Sequence, residues 1–466
     1  MRALAPLWLG LLLSSGCVVR ELAELPPRPE VEELTDIAVD LNRDFDILFV
    51  IDSSKSMAGE QESLRANFPR IIDALDFPGL GLPSLHIGVI TTDVGAGDNC
   101  PGDGDAGNMI QVGPGGCGGP RDPYISDVAD DSGGRIVNYD GTLGDTFSCI
   151  ANVGIKGCGF EQPLEAMKRA LANDAENAGF LRPAANLAVI VISDEDDCSA
   201  RDRTVFDPSQ DDIDSQLGEL SSFRCFEFGT ECDPVDGGER SLGARSNCRA
   251  EDDSPYLESV STYADYLRTL KGDPDQVFVA TIAGNPTPVN VVQSPDVLER
   301  TLDPVCFVCP GGATSGCSAN PAEPASALVN ANPAVRLRAF TDQFGGAGNA
   351  QDICRYDAAS DALDVGTSLA NIADQLVPRI DSICLGADPL DTDDGQAGLQ
   401  PECEVTEGAA AIPACADGGA TPCFHIEENP VQCGATSSHL QLSIDRGGAP
   451  RPADAELSAR CLLAPG

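Results

Sequence analysis

Two unbroken apolar runs, Ile47–Ile51 and Leu187–Ile192, constrain this chain most. A strand in which every residue is apolar is buried on both faces, the condition of strands inside a parallel sheet. Between and after these runs come segments with helical spacing. Glu60–Leu75 carries Leu64, Phe68, Ile71, Ile72 and Leu75 on one face, and Leu164–Leu171, Tyr256–Leu270, Val335–Phe344 and Leu369–Val377 have the same pattern. Leu85–Thr91 and Gln276–Ile282 are further strands. Strands alternating with helices predict an α/β fold, an open, mostly parallel sheet with helices on both faces. Such sheets collect ligands beyond the carboxyl ends of their strands.

Three connections are too long for that scheme: Val94–Gly133, Cys198–Ser254 and Asn285–Asn332, each rich in Gly, Pro or Asp and each containing cysteines. They are expected to be insertions pinned by disulfides. Beyond Cys384 the helical pattern fades and Ser438–Ile444 alternates like a strand, so 385–466 is expected to be a small, Cys-rich, β-rich C-terminal module. The α/β domain then spans 44–384. Residues 18–43, charged and bearing Pro26, Pro27 and Pro29, have the composition of a tether.

The chain begins Met1-Arg2, continues through the apolar Leu4–Leu13 and reaches Ser14-Ser15-Gly16-Cys17. That is a charged start, a short apolar stretch and a small-residue cleavage site. The segment 1–17 resembles a bacterial lipoprotein signal, in which cleavage leaves Cys17 as the acylated N-terminus, although Leu13 stands four residues before the cysteine. Cysteine arithmetic agrees: the chain has 19 cysteines, an odd number, and setting Cys17 aside leaves an even set for disulfides in an oxidising compartment. Cys225, Cys232 and Cys248, and Cys306, Cys309 and Cys317, form clusters able to pair locally. Neither these nor the scattered His86, His425 and His439 have zinc-ligand spacing. An anchored protein exported to the envelope follows, with the outer membrane or cell surface favoured by Val18 after the cysteine.

The formal charge is −45, from 74 acidic and 29 basic residues. It repels phosphate backbones, argues against nucleic acid as a partner and makes metal cations the natural counter-charge. Where the first apolar run ends, Asp52, Ser54 and Ser56 offer one carboxylate and two hydroxyls at alternate positions. Oxygen ligands of this kind suit Mg²⁺ or Ca²⁺. The second run leads into Ser193-Asp194.

This D-x-S-x-S after a buried strand, with a later strand ending in Asp194, resembles the von Willebrand factor A domain over about 44–384. The resemblance implies a metal-ion-dependent adhesion site in which Asp52, Ser54 and Ser56 are ligands and Asp194 acts through water. The family commonly adds a Thr from the loop before its third major helix. Here that loop, Gly157–Pro163, has neither Thr nor Ser. Either Glu161 substitutes, directly or through water, adding negative charge that tightens the cation and weakens its pull on an acidic ligand, or the site is degenerate.

Asp93, after the Leu85–Thr91 strand, either assists the metal or turns the chain. Glu195, Asp196 and Asp197 either bind a second Ca²⁺ or form a solvated acidic loop. No Ser-His-Asp order, phosphate loop or His-based metal centre is present, so an enzyme is not expected. Two functions remain. In one the protein binds a protein or glycan partner through Mg²⁺ or Ca²⁺. In the other it is a structural component of the envelope whose ion only stabilises a disulfide-braced scaffold.

Overall fold

The computed structural model describes residues 34–463, except 38, 42–43, 77–81, 131–133, 174, 184, 272–275, 295–298, 309–328, 345–348, 358–361, 381–382, 393–398, 416–420, 429–432, 434–437 and 447–456. Cys17, Cys309 and Cys317 lie outside the described residues.

Two short strands, β1 (Thr35–Ile37) and β2 (Val39–Leu41), precede the first buried strand, β3 (Asp44–Ile51). There follow α1 (Ala58–Leu75), β4 (Ser84–Thr91), β5 (Ile125–Ala129), β6 (Arg135–Val137), α2 (Leu143–Ile150), α3 (Pro163–Ala172) and β7 (Asn186–Ile192). The second half supplies α4 (Phe223–Gly229), α5 (Val260–Leu270), β8 (Val277–Ala283), α6 (Val335–Thr341), β9 (Ala350–Asp352) and α7 (Val365–Ile380).

Seven of these strands form one mixed sheet in the order β9-β8-β7-β3-β4-β5-β6. The first five run parallel, and β5 and β6 close one side antiparallel. Because side chains alternate along a strand, β3 feeds two cores. Phe45, Ile47, Phe49 and Ile51 pack with α1, α2 and α7, whereas Leu48 and Val50 pack with α3, α5 and α6.

The structure departs from the sequence expectations in several places. Val94–Gly133 is not wholly an insertion, since β5 lies within it and extends the main sheet; its pattern is broken by Asp127, buried against Tyr139 and Arg135. The Tyr256–Leu270 helix begins only at Val260, because the Ser259 hydroxyl accepts from the Ser261 amide and caps it there. At the other end of the domain, Asp364 accepts from the Thr367 amide and starts α7 earlier than Leu369.

The cysteines divide the same way. Cys232 pairs locally with Cys248, but Cys225 reaches back to Cys198 and Cys306 forward to Cys354.

The C-terminal module is β-rich, as expected, but it is not built from the C-terminal residues alone. One four-stranded sheet has the order β1, Leu457–Cys461, Cys403–Glu407, Ala410–Ile412; the other has β2, Ile383–Leu385, Leu440–Asp445, Cys423–Glu428. Ile37, Leu385, Val405, Phe424, Leu442 and Ala459 form their shared core. The expected tether therefore gives way to strands at Thr35. Ile37 is buried there, while Thr35 and Asp36 are exposed.

Candidate metal centre

β7, β3 and β4 lie side by side in parallel, so the residues after them emerge together at one end of the sheet. Those residues are Ser193 and Asp194, Asp52, and Thr92 and Asp93. The ladder continues one step past β3, with the Asp52 amide donating to Ile192 O at 2.9 Å. The Asp52 carboxylate is held at both oxygens: Oδ1 accepts from the Ser54 amide and Oδ2 from the Ser193 hydroxyl, each at 2.7 Å. Ser54 Oγ and Ser56 Oγ face each other at 2.9 Å.

The loop before α3 is pressed onto this turn. Its Gly157 amide donates to Ser53 O at 2.9 Å, and a Cβ at Gly157 would displace the Ser53 hydroxyl and crowd the Ser53 Cβ and carbonyl oxygen at 3.0 and 3.1 Å. Gln61 Nε2 donates to Asp52 O and to Gly154 O, both at 2.9 Å, clamping the two loops together. The Cys100–Cys158 disulfide and the bond from the Cys198 amide to Glu161 O at 2.7 Å hold the far side. Asp93 serves the turn, accepting from the Gly95 and Cys158 amides.

Glu161 is thereby delivered beside Asp52, just ahead of the α3 N-terminus, where the helix dipole favours negative charge. The Thr92 hydroxyl donates to Glu161 Oε2. The sequence-predicted residues Asp52, Ser54, Ser56, Glu161 and Asp194 thus meet at one end of the sheet. Asp52, Glu161 and Asp194 are 0, 1 and 3% exposed, and Ser56 is half-buried, so the opening lies over the hydroxyls.

The electrostatics are uncompensated. Burial pushes the Asp52 carboxyl up, against the bonds from Ser54 and Ser193 that pull it down. Burial and then the Asp52 charge raise Glu161 and Asp194 well above the carboxylate range. The same two causes hold Glu195 at about 8, and burial holds Glu60 at about 7. Glu161 Oε1 and Asp194 Oδ1 are buried with no hydrogen-bond partner among the described residues. Buried polar atoms are rarely left so, and a buried charge without a counter-ion is more costly still.

The acidic run after Asp194 is not a solvated loop. Asp196 accepts the Arg336 and Leu337 amides at the start of α6, and Asp197 pairs with Arg336 at 2.9 Å, both side chains fully buried. Both Asp196 oxygens and Asp197 Oδ2 are engaged by α6, while Asp197 Oδ1 accepts from the Leu164 amide and the Ser199 hydroxyl. Sequence reasoning placed Thr92 and Ser193 at strand ends on the ligand face without giving them a role, and missed Glu60 and Gln61. Thr92 and Ser193 were legible as polar residues directly after buried strands; Gln61 acts through a contact that only the fold creates.

Among the described residues the tightest set of potential metal-ligand atoms is Cys306, Asp352 and Cys354, but the two sulfurs are bonded to each other. Asp52, Glu161 and Asp194 do not converge to one oxygen each within 4.8 Å of the others.

No protein-family description and no curated protein sequence matches the chain. Among solved structures, the open conformation of the pilus adhesin SpaC from Lactobacillus rhamnosus GG is similar at 12% identity and a TM-score of 0.33, over 90% of this chain and 38% of that one. The pilus adhesin RrgA from Streptococcus pneumoniae is similar at 10% identity and a TM-score of 0.27, over 92% of this chain and 58% of that one. The chain spans well under half of SpaC, and overlays this loose carry no functional argument.

Proposed function

We propose that 44–384 is a von Willebrand factor A-type domain that binds Mg²⁺ or Ca²⁺ and uses the ion to capture a partner outside the cell. The observation that carries this is the set of buried carboxylates at the ends of β3 and β7, with Glu161 Oε1 and Asp194 Oδ1 buried and without a hydrogen-bond partner among the described residues. A divalent ion supplies the missing charge, and the all-oxygen donor set fits a hard cation. Asp52, Ser54 and Ser56 would hold it, Asp194 would act through water, and Glu161, steadied by Thr92, would take the place of the absent loop Thr. The spread of the carboxylates suits such a mixture of hydroxyl, carboxylate and water ligands.

Eight disulfides among the described residues support export to an oxidising compartment. Among those residues no helix is long and apolar enough to cross a membrane, and lipidation at Cys17 would provide the attachment. Membrane fractionation checks it: Cys17→Ser is expected to move the protein to the soluble fraction, and continued membrane partitioning would rule the anchor out. The protein is non-catalytic in this proposal.

Calorimetry with Mg²⁺ and Ca²⁺, alongside capture of envelope proteins by wild type and Asp52→Ala, tests the central claim. Ion affinity is expected to vanish in the variant together with a subset of captured partners. Capture that survives chelation, while stability falls, would favour the scaffold function instead.

A further inference from the structure

We propose that Lys55, Ile155 and Lys156 form a docking rim around the ion that takes an acidic protein segment, one carboxylate going to the cation and a second, about two residues along, to the lysines. This rests on the ion site proposed above and names the partner chemistry that site would accept.

The whole chain contains four lysines, Lys55, Lys156, Lys168 and Lys271, against 74 acidic residues. Lys271 is buried against Asp46, and Lys168 lies over the Tyr263 ring. The other two are at the mouth of the ion site. Lys55 stands between the Ser54 and Ser56 hydroxyls, and Lys156 precedes Gly157, whose amide is bonded to Ser53. Both are exposed, and among the described residues neither has an ion-pair or hydrogen-bond partner. In a chain of charge −45, two unpaired cations on the two loops that meet at a carboxylate-rich site are an exception to the surface around them.

Neither lysine is among the largest influences on Asp52, Glu161 or Asp194, and neither is bonded to them. Facing outward, they complement an anion that arrives from solvent. Ile155, 40% exposed beside Lys156, is one of four large hydrophobic residues so exposed among the described residues and gives the rim an apolar contact. An apolar contact beside a cation fits the side chains of a peptide better than a sulfated sugar. On an extended segment, residues two apart project to the same side about 7 Å from each other, so one carboxylate can meet the ion while the next meets a lysine ammonium. Electrostatic complementarity of this kind sets specificity and association rate more than raw affinity.

The test uses the full chain with saturating Mg²⁺ and, as probes, a ten-residue poly-L-glutamate and a sulfated oligosaccharide of similar charge. The net charge of −45 disfavours binding of either probe elsewhere, and the lysine variant isolates what the rim contributes. The expected result is Mg²⁺-dependent binding of poly-L-glutamate that falls at least tenfold in Lys55→Gln/Lys156→Gln, while the Mg²⁺ affinity of that variant, read by calorimetry, is unchanged or tighter. Equal poly-L-glutamate affinity in wild type and variant, or tighter binding of the sulfated oligosaccharide, overturns the rim while leaving the ion site standing. Absence of Mg²⁺ and Ca²⁺ binding in the wild type overturns both.

Discussion

Asp46 and Asp52 lie on the same face of the same stretch of chain, one near the start of β3 and one just past its end, and both are 0% exposed. Their surroundings differ completely. Asp46 takes the Arg182 amide and Nε, each at 2.7 Å, and Lys271 Nζ at 3.5 Å, with His86 alongside. Asp52 has two short hydrogen bonds and, for neighbours, Glu161, Asp194, Glu195 and Glu60. The fold therefore neutralises Asp46 with its own cations at one end of the sheet, whereas at the other Asp52, Glu161 and Asp194 have no ion-pair partner among the described residues. A charge cluster closed by the protein is structural, whereas one left open needs something from solution.

The largest effect that can break this comparison comes from Asp46→Ala. Removing it strands Lys271 and Arg182 in the interior, and the loss of one partner from a buried pair costs about 3–5 kcal/mol. Denaturant unfolding of the ion-free protein is expected to show that loss, whereas Asp52→Ala under the same conditions is expected to be neutral or stabilising because it relieves repulsion. Equal destabilisation by both substitutions would mean the two ends are alike.

Next in size is the ion itself. At a concentration one hundred times its dissociation constant, a bound ion adds about 2.7 kcal/mol. That increment is expected to depend on pH. With Glu195 held at about 8 and Glu60 at about 7, the ion-free folded state binds more protons than the unfolded chain between those values and the ordinary carboxylate range. Their penalty is fully present above about 8 and fades as pH falls, so the ion-free protein gains stability on acidification. The cation competes with those protons. Thermal melts with and without Mg²⁺ are expected to converge as pH drops from 8 towards 5, and an increment that grew on acidification would contradict the open cluster.

The smallest expected change is in Glu161→Gln, which keeps the shape and the Thr92 contact but removes a charge. Ion affinity is expected to fall about tenfold, equivalent to about 1.4 kcal/mol. No change in calorimetry would leave the site to Asp52, Ser54, Ser56 and Asp194 alone.

Which features were legible follows from their range. Ile47–Ile51 and Leu187–Ile192 announce strands because burial on both faces is written locally as an apolar run, and Asp52 and Asp194 inherit their place from those runs. Glu161 was legible only through its position before α3. Thr92 joins Glu161 because β4 neighbours β3, and Asp197 finds Arg336 across a long stretch of chain; no local pattern encodes either. The strands at 35–37 and 39–41 were obscured by the charged, proline-bearing stretch before them, and their partners lie hundreds of residues further along the chain.

The placement of β2 against Ile383–Leu385 sets an order of assembly. Leu41 pairs with Ile383, so the whole α/β domain is a loop closed by one rung of the small module. Closing so long a loop as a random coil is entropically unfavourable, and a folded domain that already holds its two ends together removes most of that cost. We expect the α/β domain to fold first and the module to close behind it. A chain ending before residue 383 is then expected to retain the sheet around β3 while residues 35–41 exchange their amide hydrogens freely.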